Sequence, residues 1–194
     1  MLLSKIYTEI IKKYDLNQYM GKKNLHFGCG NKPLKGFINV DFYNKTYADE
    51  IVDLNKELPY LSESIDLIYS DNVFEHINNL LELIRECNRV LKKGGVLIIK
   101  VPYFKSKHAF VDPTHIKFFT IQSMDYYVKN TYFNDEYKFF DEVFESMEIF
   151  LDYENRSFFK KLISIYATKR PNHFENSIWS NLYVFLNITY RLRK

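Results

Sequence analysis

The chain has 194 residues, of which 46% are hydrophobic and 26% are charged. This length fits one domain with accessory elements, and this composition excludes a collagenous, low-complexity or disordered protein. The formal net charge of +3 is too small to indicate a dedicated nucleic-acid-binding protein.

The cysteines and the N-terminus bear on the cellular setting. Cys29 and Cys87 cannot form a disulfide framework in a chain of this size, so we expect a reducing, cytoplasmic setting. Charged side chains interrupt the N-terminal stretch from Met1 to Met20, which therefore lacks the apolar run of a signal peptide. No stretch reaches the roughly 18 to 20 apolar residues of a membrane span, so no transmembrane segment is predicted.

The N-terminal third of the chain predicts a helix followed by four short strands. Apolar residues recur at spacings of three and four from Leu2 to Tyr14, which predicts an N-terminal helix within residues 1–20. Strand-like runs follow, and the second and third of them end in an aspartate. These runs cover residues 24–27, 37–41, 50–53 and 64–70.

A helix and a buried strand come next. Residues 78–91 have a helical apolar period and end in two lysines and two glycines, which is typical of a helix C-terminus. Residues 96–101 are a nearly continuous apolar run, as expected of a central strand buried on both faces. The alternation predicts a parallel α/β sheet. Later strands are predicted over 147–153 and 187–193, with a helical insertion over 155–184 between them.

Glycines and acids lie at the ends of the first three strands. Gly28 and Gly30 follow the first strand, where glycine allows a sharp turn and a close approach to a ligand. Asp41 ends the next strand, where a carboxylate can accept two hydrogen bonds from a ribose diol. Asp53 and Leu54 follow the third strand. Because the carboxyl ends of parallel strands meet at one edge of a sheet, this order predicts a ligand site there.

Five blocks of sequence follow one another in a characteristic order. They are Leu25–Gly30, Gly36–Asp41, Asp66–Ser70, Glu75-His76 and Arg89–Leu97. Together they resemble class I S-adenosylmethionine-dependent methyltransferases, most closely the small type 11-like members associated with glycan or cell-surface pathways. The resemblance covers residues 24–120, the expected cofactor-binding core of a single domain over 1–194. It implies a Rossmann-like class I methyltransferase fold, with a mostly parallel seven-stranded sheet, helices on both faces and a helical insertion before the last strand.

The resemblance implies S-adenosylmethionine as the cofactor and assigns residues to its methionine and ribose parts. Gly28, Cys29 and Gly30 would lie against the methionine part, where Asn31 would supply hydrogen bonds. Asp41 would bind the ribose hydroxyls.

The same resemblance assigns the adenine and amino-group contacts. Asp53 and Leu54 would bind adenine through the acid and the following backbone amide. Ser70 would offer its backbone to the amino group of the cofactor, with Asp71 and Asn72 lining the same pocket.

A polar loop after the fifth strand carries the predicted catalytic residues, His108, Asp112 and His115. A base on this loop could take a proton from an acceptor hydroxyl. Asp112-Pro113 is equally a good turn initiator, so a structural role stays open. No metal site is predicted, since no second cluster of acids at ligand spacing is evident; a divalent metal held by this loop is the less favoured alternative.

The predicted function is S-adenosylmethionine-dependent methyl transfer, with oxygen of a small-molecule or glycan-type acceptor as the target. One alternative is a non-catalytic S-adenosylmethionine-binding partner or regulatory protein, since His26 and Lys32 depart from the family's usual acid and third glycine. The other is an NAD-type oxidoreductase, which is disfavoured because Asp41 comes too early for the roughly 20-residue spacing of a dinucleotide fingerprint. Nucleic acid is not an expected partner, whereas a homodimer is.

Overall fold

A computed structural model describes Tyr14 and residues 16–141, 143–151 and 158–194. Most of the predicted N-terminal helix lies outside these residues. Within them, Asn17–Tyr19 forms a 3₁₀ turn. The predicted strand over 147–153 is described only as far as Leu151.

The strands form one seven-stranded sheet in the order β3-β2-β1-β4-β5-β7-β6. All neighbouring pairs among strands β1 to β5 are parallel. Strand β7 is antiparallel to both of its neighbours, β5 and β6. The predicted mostly parallel Rossmann-like sheet is therefore confirmed, with β7 as the exception. The strands are β1 Asn24–Phe27, β2 Ile38–Asp41, β3 Glu50–Ile51, β4 Ile65–Asp71, β5 Leu91–Pro102, β6 Ser146–Leu151 and β7 Asn187–Arg193.

Six α-helices lie between the strands in the described residues. The first connects β4 to β5, and the side chain of Asn79 caps its N-terminus by accepting a hydrogen bond from the Glu82 backbone N–H. The last three lie between β6 and β7, in the region predicted to be a helical insertion. The helices are α1 Leu80–Val90, α2 His108–Val111, α3 Tyr132–Tyr137, α4 Phe158–Lys169, α5 Pro171–Glu175 and α6 Trp179–Leu182.

Different elements pack against the two faces of the sheet. On the first face, Leu83 of α1, Ala167 of α4 and Phe174 of α5 belong to the same apolar cluster as Phe27 and Ile99 of the sheet. On the second face, in the described residues, the sheet packs against the 3₁₀ turn and a loop instead. The cluster on this second face comprises Tyr14, Leu16, Tyr19, Leu34, Phe37, Leu67, Tyr69, Val96 and Ile98.

Within the described residues no α-helix covers the second face, and the predicted N-terminal helix, of which Tyr14 packs on that face, lies mostly outside them. The connections β1–β2, β2–β3 and β3–β4 cover residues 28–37, 42–49 and 52–64, and none of them contains a helix. The first has glycines at both ends and Pro33 inside it, residues that oppose helix formation. Because the connections at this end of the sheet are loops, the carboxyl ends of β1, β2 and β3 border an open cleft.

Candidate functional site

A cleft of about 640 Å³ lies at the carboxyl ends of β1, β2 and β4. This edge of a parallel sheet is where ligands bind in open α/β folds, and the volume suits a ligand of drug or cofactor size. The lining residues are Gly28, Gly30, Asp41, Phe42, Tyr43, Thr46, Asp53, Leu54, Asn55, Asn72, Val73, His76, Ile77 and Thr114.

The two glycines after β1 shape the floor of the cleft in different ways. Gly28 has a φ of +65°, and a Cβ atom there would lie 2.1 Å from Cγ2 of Val73. Gly30 has a φ of +49°, and apart from its chain neighbours no atom of the residues that the structure describes lies within 4 Å of where its Cβ would be. Gly28 therefore allows close packing against the loop after β4, whereas Gly30 leaves open space for a ligand.

The carboxylate of Asp41 is held in place by the backbone. Its Oδ2 accepts a hydrogen bond from the Gly30 N–H at 2.8 Å, and its Oδ1 accepts one from the Tyr43 N–H at 3.1 Å. A carboxylate has about four acceptor sites, so it retains capacity for two hydroxyl donors. The side chain is thus fixed at the cleft wall before any ligand binds.

Asp53 lies across the cleft from Gly28 and Gly30, near the end of β3. The Asn55 backbone N–H donates to Asp53 Oδ1 at 3.0 Å, and this bond is the main cause of the lowered pKa of Asp53. The carboxylate is therefore ionised at neutral pH. Asn55 also contacts the loop after β4, because its Oδ1 accepts a hydrogen bond from the Asn78 N–H at 3.0 Å.

Four predicted cofactor residues do not line the cleft. Cys29 is buried, and burial raises the pKa of its thiol to about 11. Asn31 is exposed to solvent and does not line the cleft. Ser70 is fully buried at the end of β4, and its Oγ has no hydrogen-bond partner among the described residues. Asp71 forms an ion pair with Lys100 at 3.0 Å, so its carboxylate is already engaged.

Sequence reasoning missed the aromatic pair beside Asp41. Phe42 and Tyr43 line the cleft with 58% and 68% of their surface exposed, and their rings meet edge to face at 5.3 Å. Exposed rings at a cleft edge are suited to stacking on a planar base. The signal available in the sequence was two aromatic residues directly after a strand-end acid, at positions that the β2 pattern does not bury.

A second, smaller cavity of about 330 Å³ adjoins the cleft. It contains all three predicted catalytic residues, and Asn72 lines both spaces. Asn72 has a φ of +55° at the end of β4, a left-handed turn that asparagine tolerates better than most residues. The cavity is lined by Asn72, Glu75, Pro102, His108, Val111, Asp112, His115, Leu186 and Asn187.

Hydrogen bonds within the polar loop fix Asp112. Its Oδ1 accepts from the Thr114 hydroxyl at 2.7 Å and from the Thr114 backbone N–H at 2.9 Å. These bonds hold the pKa of Asp112 below its usual range, so the carboxylate is charged at neutral pH. Its Oδ2 lies 4.0 Å from Nε2 of His115. The loop thus brings an anionic carboxylate and an imidazole to one cavity wall.

Comparisons with known proteins identify related folds. A family model described as a methyltransferase domain matches residues 37–99. The malonyl-[acyl-carrier protein] O-methyltransferase 1 of Coxiella burnetii is 44% identical over 41 residues, which are 21% of this chain and 14% of that protein. The chain therefore aligns with only a small part of the length of this curated relative.

Solved structures resemble the whole chain. An S-adenosylmethionine-dependent methyltransferase from Archaeoglobus fulgidus superimposes with a TM-score of 0.64 at 15% identity, over 99% of this chain and 94% of that one. A Thermotoga maritima protein, described as an S-adenosylmethionine-dependent methyltransferase and a possible histamine N-methyltransferase, gives a TM-score of 0.59 at 15% identity, over 100% and 92% of the two chains. At these identities the structures show a shared fold.

The residues of the cleft fit the cofactor of these relatives. The open space above Gly30, the fixed carboxylate of Asp41 and the exposed ring of Phe42 offer a backbone approach, a diol acceptor and a stacking surface. The methyltransferase-domain match over residues 37–99 and the solved structures therefore show that this chain shares the fold of these relatives.

Proposed function

We propose that the protein transfers the methyl group of S-adenosylmethionine to oxygen of a small-molecule or glycan-type acceptor. The observation that carries the proposal is the junction of the two cavities at Asn72. A cofactor in the cleft and an acceptor in the smaller cavity would meet across this residue. A volume of about 330 Å³ is at the lower end for small-molecule sites, which favours a small acceptor or one unit of a larger one.

The residues that would hold the cofactor are the predicted ones that line the cleft. Gly28 and Gly30 would face its methionine part, and Asp41 would accept from the ribose hydroxyls. Asp53 would accept from the adenine amine, with the Leu54 backbone amide at the ring. Ser70 would contribute only its backbone, because its side chain is enclosed within the sheet.

The reaction needs alignment, exclusion of water and a proton acceptor. The bound cofactor supplies an activated methyl group as a sulfonium. Asp112, charged because of its Thr114 hydrogen bonds, would accept the proton of the acceptor hydroxyl, with His108 and His115 orienting the acceptor in the same cavity. The curated relative from Coxiella burnetii is named as an O-methyltransferase, which supports oxygen as the target atom.

The two alternatives make different demands. An NAD-type oxidoreductase of the dinucleotide-binding fold has the strand order 3-2-1-4-5-6, and the antiparallel β7 between β5 and β6 departs from it. A non-catalytic binding protein would use the cleft but not the smaller cavity. Changes at Asp112 that alter turnover without altering cofactor affinity would therefore favour the enzyme.

Calorimetry tests the cofactor first. S-adenosylmethionine and S-adenosylhomocysteine should bind with one-to-one stoichiometry, and NAD should not. Asp41→Asn keeps one oxygen, which can accept from only one of the two backbone N–H groups, and removes the charge, so we expect at least tenfold weaker binding. Asp135→Asn is a matched control on the exposed side of α3, outside the lining of both cavities. Failure of both cofactor forms to bind the folded protein would contradict the proposal.

A further inference from the structure

Three potential metal ligands converge where the two cavities meet. One ligand atom each from Glu75, His76 and His115 lies within 4.8 Å of the other two. His115 Nε2 is 3.9 Å from Glu75 Oε1, and His76 lines the cofactor cleft while Glu75 and His115 line the smaller cavity. Bonds of about 2.0 to 2.2 Å to a tetrahedral ion place two ligand atoms about 3.3 to 3.6 Å apart, so the three ligand atoms would have to move closer together by about 1 Å to surround one ion.

The hydrogen bonds of the two histidines leave one nitrogen of each available. His115 Nδ1 lies 3.1 Å from the Ala109 carbonyl oxygen, which can only accept, so Nδ1 carries the hydrogen. His76 Nδ1 lies 3.2 Å from the Thr114 carbonyl oxygen, and 2.9 Å from a Thr114 hydroxyl that donates its own hydrogen to Asp112. In the neutral form of each ring the hydrogen is therefore on Nδ1, and the lone pair is on Nε2. Metal-bound histidines are oriented in this way.

Glu75 supplies a buried carboxyl group. The residue is 1% exposed, and within the part of the chain that the structure describes no other residue donates a hydrogen bond to either carboxyl oxygen. A buried carboxyl group without a hydrogen bond costs stability unless something compensates it, and a divalent cation would do so.

The backbone holds the two halves of the cluster together. The Glu75 carbonyl oxygen accepts hydrogen bonds from the N–H groups of Ile116 and Lys117 at 2.9 and 3.1 Å. These bonds tie the turn Phe74–His76 to the loop that carries His115. The ligands are therefore positioned by main-chain contacts and do not depend on their own mutual attraction.

We propose that Glu75, His76 and His115 form a binding site for one divalent first-row transition-metal ion. Two imidazoles and a carboxylate suit zinc and its neighbours better than magnesium or calcium, which prefer oxygen ligands. With three protein ligands, the ion keeps at least one position open to the cavity that holds Asp112. The metal site is a separate proposal from methyl transfer. Ion binding to it can be measured without cofactor or acceptor.

The test is titration of chelator-treated, untagged protein with Zn²⁺, and with Co²⁺ for its absorption spectrum. We expect one equivalent to bind the wild type and to raise its Tm by mass action. Glu75→Gln and His115→Gln should weaken binding at least tenfold. His108→Gln is the matched control, since this histidine lines the same cavity outside the cluster, and it should bind as the wild type does. Mg²⁺ should not compete.

A variant outside the ligand set tests the role of orientation. Thr114→Val removes the hydroxyl beside His76 Nδ1 but leaves the backbone carbonyl. We expect metal affinity to fall about tenfold, in line with the effect of losing an outer hydrogen bond on a ligand. If folded wild-type protein binds neither ion stoichiometrically, or if Glu75→Gln and His115→Gln both bind as tightly as the wild type, the site is refuted. Neither result would affect cofactor binding measured by calorimetry.

Discussion

His26 Nδ1 lies 3.1 Å from Oδ1 of Asn39, and this contact connects a buried ring on the second face of the sheet to the loop that carries the glycines. The same Asn39 oxygen accepts from the Leu34 N–H at 2.7 Å. The Asn39 amide donates to the carbonyl oxygens of Leu34 and Phe37. His26 therefore supports this loop from the second face of the sheet and does not line the cleft.

This buried histidine predicts a pH-dependent loss of stability. Burial lowers the pKa of His26 from 6.5 and outweighs the hydrogen bond to Asn39, which raises it. On acidification the unfolded chain binds the proton first, so the free energy of unfolding falls once the pH drops below about 6.5. Chemical denaturation between pH 8 and pH 5 measures this slope.

His26→Gln serves as the comparison, since glutamine can donate to Asn39 but does not titrate. The stability of this variant should depend less on pH between 7 and 5 than that of the wild type. Equal slopes for the two proteins would show that His26 is not the titrating group.

Gly28→Ala should destabilise the protein more than Gly30→Ala. Both residues have positive φ, which costs about 1–2 kcal/mol for a residue with a Cβ. Only at Gly28 would that atom also meet Val73, at 2.1 Å, and overpacking adds roughly 1–3 kcal/mol. Gly30→Ala should instead weaken cofactor binding, because its methyl group would occupy open cleft space.

A double-mutant cycle checks the cause. Val73→Ala removes the methyl group that the new side chain of Gly28→Ala would meet, so the combination of the two substitutions should cost less than the sum of the single changes. Urea unfolding of the four proteins gives the coupling energy. Strict additivity would mean that backbone strain alone explains Gly28.

The residues at the strand ends could be predicted because topology brings them together. Once Gly28, Asp41 and Asp53 were assigned to successive parallel strands, they had to meet at one edge of the sheet, and the structure places all three in one cleft. The proximity of the Glu75 and His115 side chains could not be predicted in this way. It depends on backbone hydrogen bonds between two segments that are distant in the sequence, which leave no periodic signal.

The sequence also did not predict that a loop packs against the second face of the sheet. A helix on both faces is the usual consequence of parallel strands, but residues 28–37 connect β1 to β2 without one. Leu34 and Phe37 are then buried by the loop conformation that Asn39 enforces. Loop packing of this kind depends on particular side-chain contacts and not on apolar spacing.

Arg89 should contribute more to stability than the neighbouring Arg85. Its guanidinium donates to the carbonyl oxygens of Leu58 and Tyr60 at 3.1 and 2.9 Å and pairs with Glu86 at 2.7 Å. Hydrogen bonds that involve a charged group contribute roughly 1.5–3 kcal/mol each in favourable cases, so we expect Arg89→Met to destabilise the protein by about 2 kcal/mol.

Arg85→Met is the matched change on the same helix. Arg85 pairs with Glu82 at 2.6 Å, but both side chains are 49% exposed, and exposed pairs contribute about 0–1 kcal/mol. The denaturant midpoint of Arg89→Met should therefore be lower than that of Arg85→Met. If the two substitutions cost the same, the carbonyl contacts of Arg89 contribute nothing measurable.

Asp112→Asn should reduce methyl transfer while leaving cofactor affinity unchanged. The carboxylate lies in the smaller cavity, and the hydrogen bonds from Thr114 lower its pKa and hold it in place, so it is a charged and positioned group that could accept a proton from an acceptor hydroxyl. Loss of a positioned base typically lowers kcat by about 10²- to 10⁴-fold. Transfer of a labelled methyl group from the cofactor to a panel of small hydroxyl and carboxyl acceptors provides the assay.

The outcome at Asp112 also separates an enzyme from a binding protein. Asparagine can still accept from the Thr114 N–H and hydroxyl through its carbonyl oxygen, so the loop should keep its conformation. A fall in kcat at constant cofactor Kd would then follow from the lost charge. Unchanged turnover would remove Asp112 from the reaction and leave His108 and His115, which line the same cavity, as the remaining proton acceptors on this loop.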